Sequence, residues 1–350
     1  MKPAKTTTIT FAVMLAGLFS CRAIGLPQAV SEPRTLALRP ASIDTSRNLG
    51  DDEIKKELSA ILEKAASADV FSGAVLVAKN GHPIFKQAYG LASKNANSLN
   101  NVETKFNIGS MNKMFTAVAV AQLAESGKLS FDDTISKHLQ DYPNKAIADK
   151  VTIHQLLTHT SGMGNYQNEK YFAQLYNMKT VADLLPLFVN EPLAFEPAAK
   201  WQYSNSGYVV LGAIVEKVSG QNYFDYVKEY IFKPANMSNT DCYEKDASVP
   251  NLAIGYTRMS STGQSEPTTP RRENTSSRPA KGSPAGGGYS TVGDLLKFVV
   301  ALQNYKLLNK KFTEIVTTGK IEVGGPFGKY AYGFGDKIFN GRHIVGHNGG

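Results

Sequence analysis

The chain has 350 residues, 42% of them hydrophobic, and carries 38 lysines and arginines against 30 aspartates and glutamates, a formal charge of +8. That length and apolar content suffice for one large core or two intimate subdomains and exclude a chain too polar to fold. The basic residues are scattered except around Arg271, Arg272, Arg278 and Lys281, and no basic stripe interleaved with aromatics marks a nucleic-acid surface, so no nucleic-acid partner is expected.

Residues 1–21 read as an export signal: Lys2 and Lys5 precede an apolar run from Ile9 to Phe19, too short to span a bilayer as a mature helix. The mature protein is therefore expected outside the cytoplasm, periplasmic or secreted. Leu18-Phe19-Ser20-Cys21 looks like a bacterial lipobox, although Phe19 is bulkier than such sites prefer, and a lipidated Cys21 would attach the chain to a membrane. With Cys21 lipidated or removed, Cys242 stands alone and no internal disulfide is available. Residues 22–51, with Pro27, Pro33 and Pro40, read as a linker, and 52–350 as the folded domain.

That domain opens on an amphipathic run, Asp52 to Ala66, followed by two strand-like runs, Phe71 to Ala78 and Pro83 to Tyr89, around Lys79-Asn80-Gly81. Asn-Gly between apolar runs is a hairpin signal. Met114 to Leu123 fits a buried helix, and Val151 to Leu157, Val181 to Val189, Tyr208 to Val218 and Tyr223 to Phe232 extend a helical subdomain over about 107–285. Glu266 to Pro284 turns to Pro, Thr, Ser, Arg and Gly without apolar periodicity, the composition of a long exposed loop. Its arginines are either solvated or lie at a cleft rim. A helix from Val292 to Leu302 and strands Tyr332 to Phe339 and His343 to His347, flanking Asn340-Gly341, complete the chain. The order implies an α+β fold, with an antiparallel sheet built from both chain ends, helices flanking it and the helical subdomain inserted.

Chemistry gathers in Asn107-Ile108-Gly109-Ser110-Met111-Asn112-Lys113, at the mouth of the Met114 helix. A serine and a lysine three residues apart project to one side of a helix, and a lysine held neutral by burial can take the hydroxyl proton. The plain alternative is an N-cap serine beside a solvated lysine. Tyr203-Ser204-Asn205 lies between helical stretches. A tyrosine beside a lysine can relay protons and an asparagine can hold a substrate amide; the alternative is a loop in which Asn205 or Ser206 caps the Tyr208 helix. His347-Asn348-Gly349-Gly350 ends a strand, where glycines let a substrate approach the backbone. No G-x-S-x-G elbow is present, His154 and His159 lack the H-E-x-x-H spacing and read as packing or hydrogen-bonding residues, and Gly324 to Lys329 lacks a phosphate-loop pattern, so no metal or other cofactor is expected.

Ser-x-x-Lys, Tyr-x-Asn and His-x-Gly in this order resemble the serine β-lactamase and penicillin-binding protein superfamily, in the branch with class C β-lactamases, D-Ala-D-Ala carboxypeptidases and related esterases. The stretch Val151 to Gly162, containing LLTHTSG, is similar to that branch, as are Tyr203 to Gly212, Ile231 to Met237 and Gly286 to Asp294. The resemblance covers Ser72 to Gly350 and implies Ser110 as nucleophile, Lys113 as its proton partner and Tyr203 as the acid/base for the departing group. It implies that Asn205 orients substrate and lysine, that His347, Asn348 and Gly349 contact substrate, with His347 helping to bind a carboxylate and Gly349 leaving room, and that the backbone N–H groups of Ser110 and Gly350 form the oxyanion hole. The expected activity is a serine acyl hydrolase acting on D-Ala-D-Ala-type peptides, including cell-wall peptide, on β-lactams or on small esters. A penicillin-binding sensor that acylates without turnover is the alternative.

Two features depart from the class C pattern. His347-Asn348-Gly349 stands where Lys-Thr-Gly is usual, and a histidine partly protonated near pH 7 would pull a carboxylate weakly and in a pH-dependent way. The family's sheet also continues past this motif, so a chain ending at Gly350 is expected to be truncated, with Gly350 on a frayed end and weak or absent activity.

Overall fold

The first helix lies where the amphipathic pattern predicts it. The computed structural model describes residues 49–258 and 270–350; the export signal 1–21 with Cys21, most of the 22–51 linker and residues 259–269 lie outside the described residues. Helix α1 (Asp51–Ser67) carries Asp51, Asp52 and Glu53 in its first turn, where the helix dipole favours negative charge. It packs on the antiparallel hairpin of β1 (Gly73–Lys79) and β2 (His82–Tyr89). Asn80 and Gly81 take φ of 53° and 79°, the pair of positive values that a two-residue hairpin turn requires.

β3 (Phe106–Gly109) leads through Ser110 and Met111 into α2 (Asn112–Glu125), in which every residue from Asn112 to Ala121 is buried. A helix apolar on all sides belongs inside a core. Phe115 meets Phe232 and Phe298 edge-on at centroid distances of 5.1 and 4.9 Å, and each such pair adds about 0.5–1.5 kcal/mol beyond its buried area. α3 (Ile153–Leu157) starts with a capping box between Thr152 and Gln155. α4 (Asn205–Ser219) is buried from Ser206 to Val215, ends at Gly220 in the left-handed conformation and packs on α2.

The composition of Glu266 to Pro284 predicts an exposed loop, and the structure corrects this for its second half. Ala280 and Ser283 are buried, and the carbonyls of Ser283, Pro284 and Ala285 accept from Asn112 Nδ2, Thr116 Oγ1 and Lys113 Nζ of α2. Small residues can be covered wherever their backbone groups find donors. Gly212 of α4 makes room for them, since a Cβ there would lie 2.3 Å from Pro284 Cγ. The arginines are engaged as well: Arg271 Nη1 donates to Asp69 Oδ1 at 2.8 Å and Arg278 stacks 4.9 Å over the Tyr289 ring.

β4 (Gly288–Ser290) pairs antiparallel with β3, Gly109 opposite Gly288, and α5 (Val292–Gln303) follows and lies on β1. The chain closes with an antiparallel meander of β5 (Ile321–Gly324), β6 (Gly328–Tyr330), β7 (Gly335–Phe339) and β8 (Arg342–Gly346). The strand predicted from Tyr332 starts only at Gly335. Gly333, at φ 74°, lies so close to α2 that a Cβ would sit 2.5 Å from the Lys113 carbonyl oxygen, and the chain leaves the extended conformation to make that approach. The architecture is the expected mixture of helices and antiparallel sheets. Hairpin β1–β2 and meander β5–β8 are separate ladders among the described residues, with no backbone pairing between the two ends. No helix of the described residues is long and apolar enough to cross a membrane.

Candidate active site

Ser110 sits in the turn between β3 and α2. Gly109, at φ 49°, bends the strand end, and its N–H donates to Asn107 Oδ1 at 2.9 Å. Lys113 N–H then donates to the Ser110 carbonyl at 3.0 Å, which closes the first turn and brings Lys113 Nζ to 3.2 Å from Ser110 Oγ. The lysine is fully buried. Its amine also lies 2.8 Å from Asn205 Oδ1 and against the Ala285 carbonyl oxygen. All three neighbours are uncharged, and burial holds the amine well below the usual lysine range. A neutral amine has two N–H bonds and one lone pair. With the N–H bonds directed at Asn205 Oδ1 and Ala285 O, the lone pair faces the Ser110 hydroxyl.

Asn205 begins α4, but Ser204 is the cap, accepting from Gly207 N–H at 3.2 Å. The expectation that Asn205 or Ser206 caps this helix is thus replaced by a division of labour, with Ser204 satisfying the helix end and Asn205 turned to the lysine. Asn205 is further held by Asn165 Oδ1, which accepts its N–H at 2.7 Å, and by Gln167 Oε1, which accepts its Nδ2 at 3.0 Å. The Tyr203 ring centroid lies 4.8 Å from Lys113 Nζ and 4.2 Å from the His159 ring. Ser110, Lys113, Tyr203 and Asn205 therefore converge.

The His347 segment joins them from the end of β8. A Cβ on Gly349 would lie 1.9 Å from Ile108 O, and one on Gly109 would lie 2.7 Å from Gly350 N. Gly349 is small because the backbone of β3 presses on it, a different reason from the room for substrate expected of it. Gly350, expected on a frayed end, packs its backbone beside Gly109 and so beside Ser110. The His347 ring lies between Phe327 and Tyr330, centroids 5.0 and 5.8 Å away, with Nε2 2.9 Å from Tyr330 Oη. Burial pushes its pKa down to about 3. The sequence expectation of a partly protonated histidine near pH 7 is corrected: partial burial between two aromatic rings favours the neutral imidazole there.

Sequence reasoning missed the Ala285 carbonyl, because a backbone acceptor leaves no mark in composition, and Gln167, an isolated amide in a polar stretch. His159, read as a hydrogen-bonding residue, is one: Tyr330 Oη lies 3.1 Å from its Nε2 and Ser204 N–H donates to its Nδ1 at 3.1 Å. His154 likewise meets Tyr332 Oη at 2.7 Å.

The sequence model of the β-lactamase family, described as Beta-lactamase, matches residues 58–350. A penicillin-binding protein of Bacillus subtilis is 34% identical over 209 residues, 58% of this chain and 45% of the relative. Esterase EstB of Burkholderia gladioli is 32% identical over 243 residues, 65% of this chain and 60% of the relative, so the chain spans roughly half the length of these curated relatives. The crystal structure of a penicillin-binding protein from Bacillus halodurans superposes with a TM-score of 0.72 at 33% identity, over 83% of this chain and 88% of that one. With a family match across nearly the whole described structure and a solved relative of the same architecture, the chain belongs to the β-lactamase family.

Proposed function

We propose that this chain is an exported serine acyl hydrolase that takes the acyl group of a small ester or amide onto Ser110 and releases it to water. The observation that carries the reading is the buried amine of Lys113, 3.2 Å from Ser110 Oγ and surrounded by uncharged acceptors. Lys113 Nζ takes the Ser110 proton as Oγ attacks the substrate carbonyl carbon. Negative charge then develops on the carbonyl oxygen, and in this reading the Ser110 and Gly350 N–H groups are assigned as its donors; removing one such donor costs about 2.7–4 kcal/mol of transition-state stabilisation. Tyr203 delivers a proton to the departing alkoxide or amine as its bond to the acyl carbon breaks, and Lys113 makes up that proton. Water then repeats the sequence on the acyl-serine, with Ser110 as leaving group. Asn205 holds the lysine through Oδ1 and offers its amide to the substrate.

The choice of substrate class rests on His347. A neutral imidazole offers no charge to a carboxylate, which favours uncharged esters and amides over β-lactams and D-Ala-D-Ala peptides. EstB is named an esterase, in keeping with that choice. Export rests on the sequence of residues 1–21 alone, and membrane attachment through Cys21 on the lipobox-like Leu18 to Cys21.

The test compares p-nitrophenyl esters, D-Ala-D-Ala peptides and nitrocefin as substrates, with intact-mass spectra of the wild type and Ser110→Ala. Turnover of the esters with a short-lived acyl adduct that Ser110→Ala abolishes is the expected result. A lasting penicillin adduct without hydrolysis would instead identify a non-turnover sensor, and no adduct from any of these reagents overturns the reading.

A further inference from the structure

We propose that His159 and Tyr330 are positioning residues, which hold the His347 strand end against the Ser110 turn through a hydrogen-bond relay of one fixed direction. The inference rests on the reading of Ser110 as the acyl acceptor. The direction follows from donors and acceptors taken in order. Ser204 N–H donates to His159 Nδ1 at 3.1 Å, so that nitrogen carries no proton. His159 is fully buried, and burial holds it well below the usual histidine range, so it is neutral and its proton is on Nε2. Tyr330 Oη, 3.1 Å away, accepts that proton; its own O–H meets two acceptors, the Tyr208 oxygen and His347 Nε2 at 2.9 Å, and turns to the imidazole nitrogen, the more basic of the two. His347 is then an Nδ1–H tautomer, and Nδ1 faces a partner able to accept, the Asn348 carbonyl.

The relay starts at Ser204, between Tyr203 and Asn205, and ends at Asn348, so it ties the two sides of the cleft together. His159 adopts φ 60°, a left-handed conformation that a non-glycine residue rarely takes and that gathers at functional sites. The conformation delivers its ring to the middle of the cluster, with the Tyr203 and Tyr330 centroids 4.2 and 4.8 Å away. A packing residue alone would need neither the strain nor the pair of opposed hydrogen bonds.

Tyr330→Phe keeps the ring and removes the oxygen that joins the two imidazoles. Imidazole 15N spectra of the wild type are expected to show His159 protonated on Nε2 and His347 on Nδ1, with His347 becoming a mixture of tautomers in the variant. Acylation by a p-nitrophenyl ester should fall about 10- to 100-fold in kcat, the scale of a misplaced reacting group, with KM little changed. A merely structural role would lower the unfolding temperature and leave the tautomer of His347 and kcat of the folded protein as they were, which overturns the proposal. Wild-type His347 protonated on Nε2 also overturns it, and that spectrum decides the matter even if Tyr330→Phe does not fold. A wild type that no ester or β-lactam acylates sinks the function reading instead, and is told apart because the spectra need no turnover.

Discussion

The lysine works as a base only while it is neutral, and Asn205→Asp attacks that condition with almost no change of shape. The new carboxylate would stand where Asn205 Oδ1 now lies, 2.8 Å from Lys113 Nζ. Coulomb's law at that distance, with an effective dielectric constant of about 20, gives roughly 6 kcal/mol in favour of the ammonium. Desolvating the carboxylate offsets part of this, and opposite charges at such range raise an amine's pKa by about 1–3 units. The sign is definite: burial lowers the Lys113 pKa, and the carboxylate raises it again. Below that pKa the neutral fraction falls about tenfold per pH unit, so the acid limb of the pH profile for acylation should move up by about 1–3 units. Gln167 can turn its amide to donate to the new oxygen, so the fold should survive. The assay is the rate of Ser110 acylation by a p-nitrophenyl ester from pH 5 to pH 10, with unfolding temperature as control. An acid limb that does not move, in a folded variant, refutes the neutral-lysine argument.

Three further substitutions probe the packing that sets the site. Gly349→Ala puts a Cβ 1.9 Å from Ile108 O, and the strand end must retreat by about 1 Å or more, a displacement that costs about 100-fold in acylation; a wild-type rate would show that the Gly349 contact is not needed. Gly212→Ala gains about 1 kcal/mol of helix propensity, but its Cβ lies 2.3 Å from Pro284 Cγ, and overpacking against a stiff ring costs about 1–3 kcal/mol. The clash should win, lowering the unfolding temperature and slowing acylation as the Ala285 carbonyl shifts; a stabilised variant of full activity would contradict this. Lys113→Met should abolish acylation and also flatten the dependence of stability on pH. In the wild type the unfolded lysine binds its proton up to the ordinary lysine pKa while the folded one releases it earlier, so stability rises with pH between the two values. A wild-type protein whose denaturation midpoint is flat across that window would refute the depressed pKa.

The motifs were legible because each is local. Ser110 and Lys113 share one helical turn, Asn80-Gly81 favours a tight hairpin, and the mostly apolar run after Lys113 had to be buried. What could not be read is contact between segments. The loop before Gly286 has the composition of a solvated tether, yet its last carbonyls are captured by a helix some 170 residues earlier, at sequence separations of 171, 168 and 172. Gly349 looked like space for a ligand because a sequence does not say what presses on a glycine, and here it is the carbonyl of Ile108. His347 looked titratable because nothing in His-Asn-Gly shows that Phe327 and Tyr330 will flank the ring.

The lysine's position depends on bonds that carry no chemistry. Asn112 Nδ2 and Thr116 Oγ1 take the carbonyls of Ser283 and Pro284 at 3.3 and 2.7 Å, one residue before and three after Lys113 on the same helix. With those two anchored, the next carbonyl, of Ala285, has to lie over Nζ, and it can accept an N–H without offering charge. A carboxylate there would secure the lysine more firmly and raise its pKa, so firmness and basicity are opposed at this point. The fold satisfies both by dividing the work: neighbouring residues fix the loop and a neutral backbone oxygen faces the amine. Each anchoring hydrogen bond contributes only about 0.5–1.5 kcal/mol to stability, but together they determine whether the lone pair of Lys113 meets the Ser110 hydroxyl or misses it.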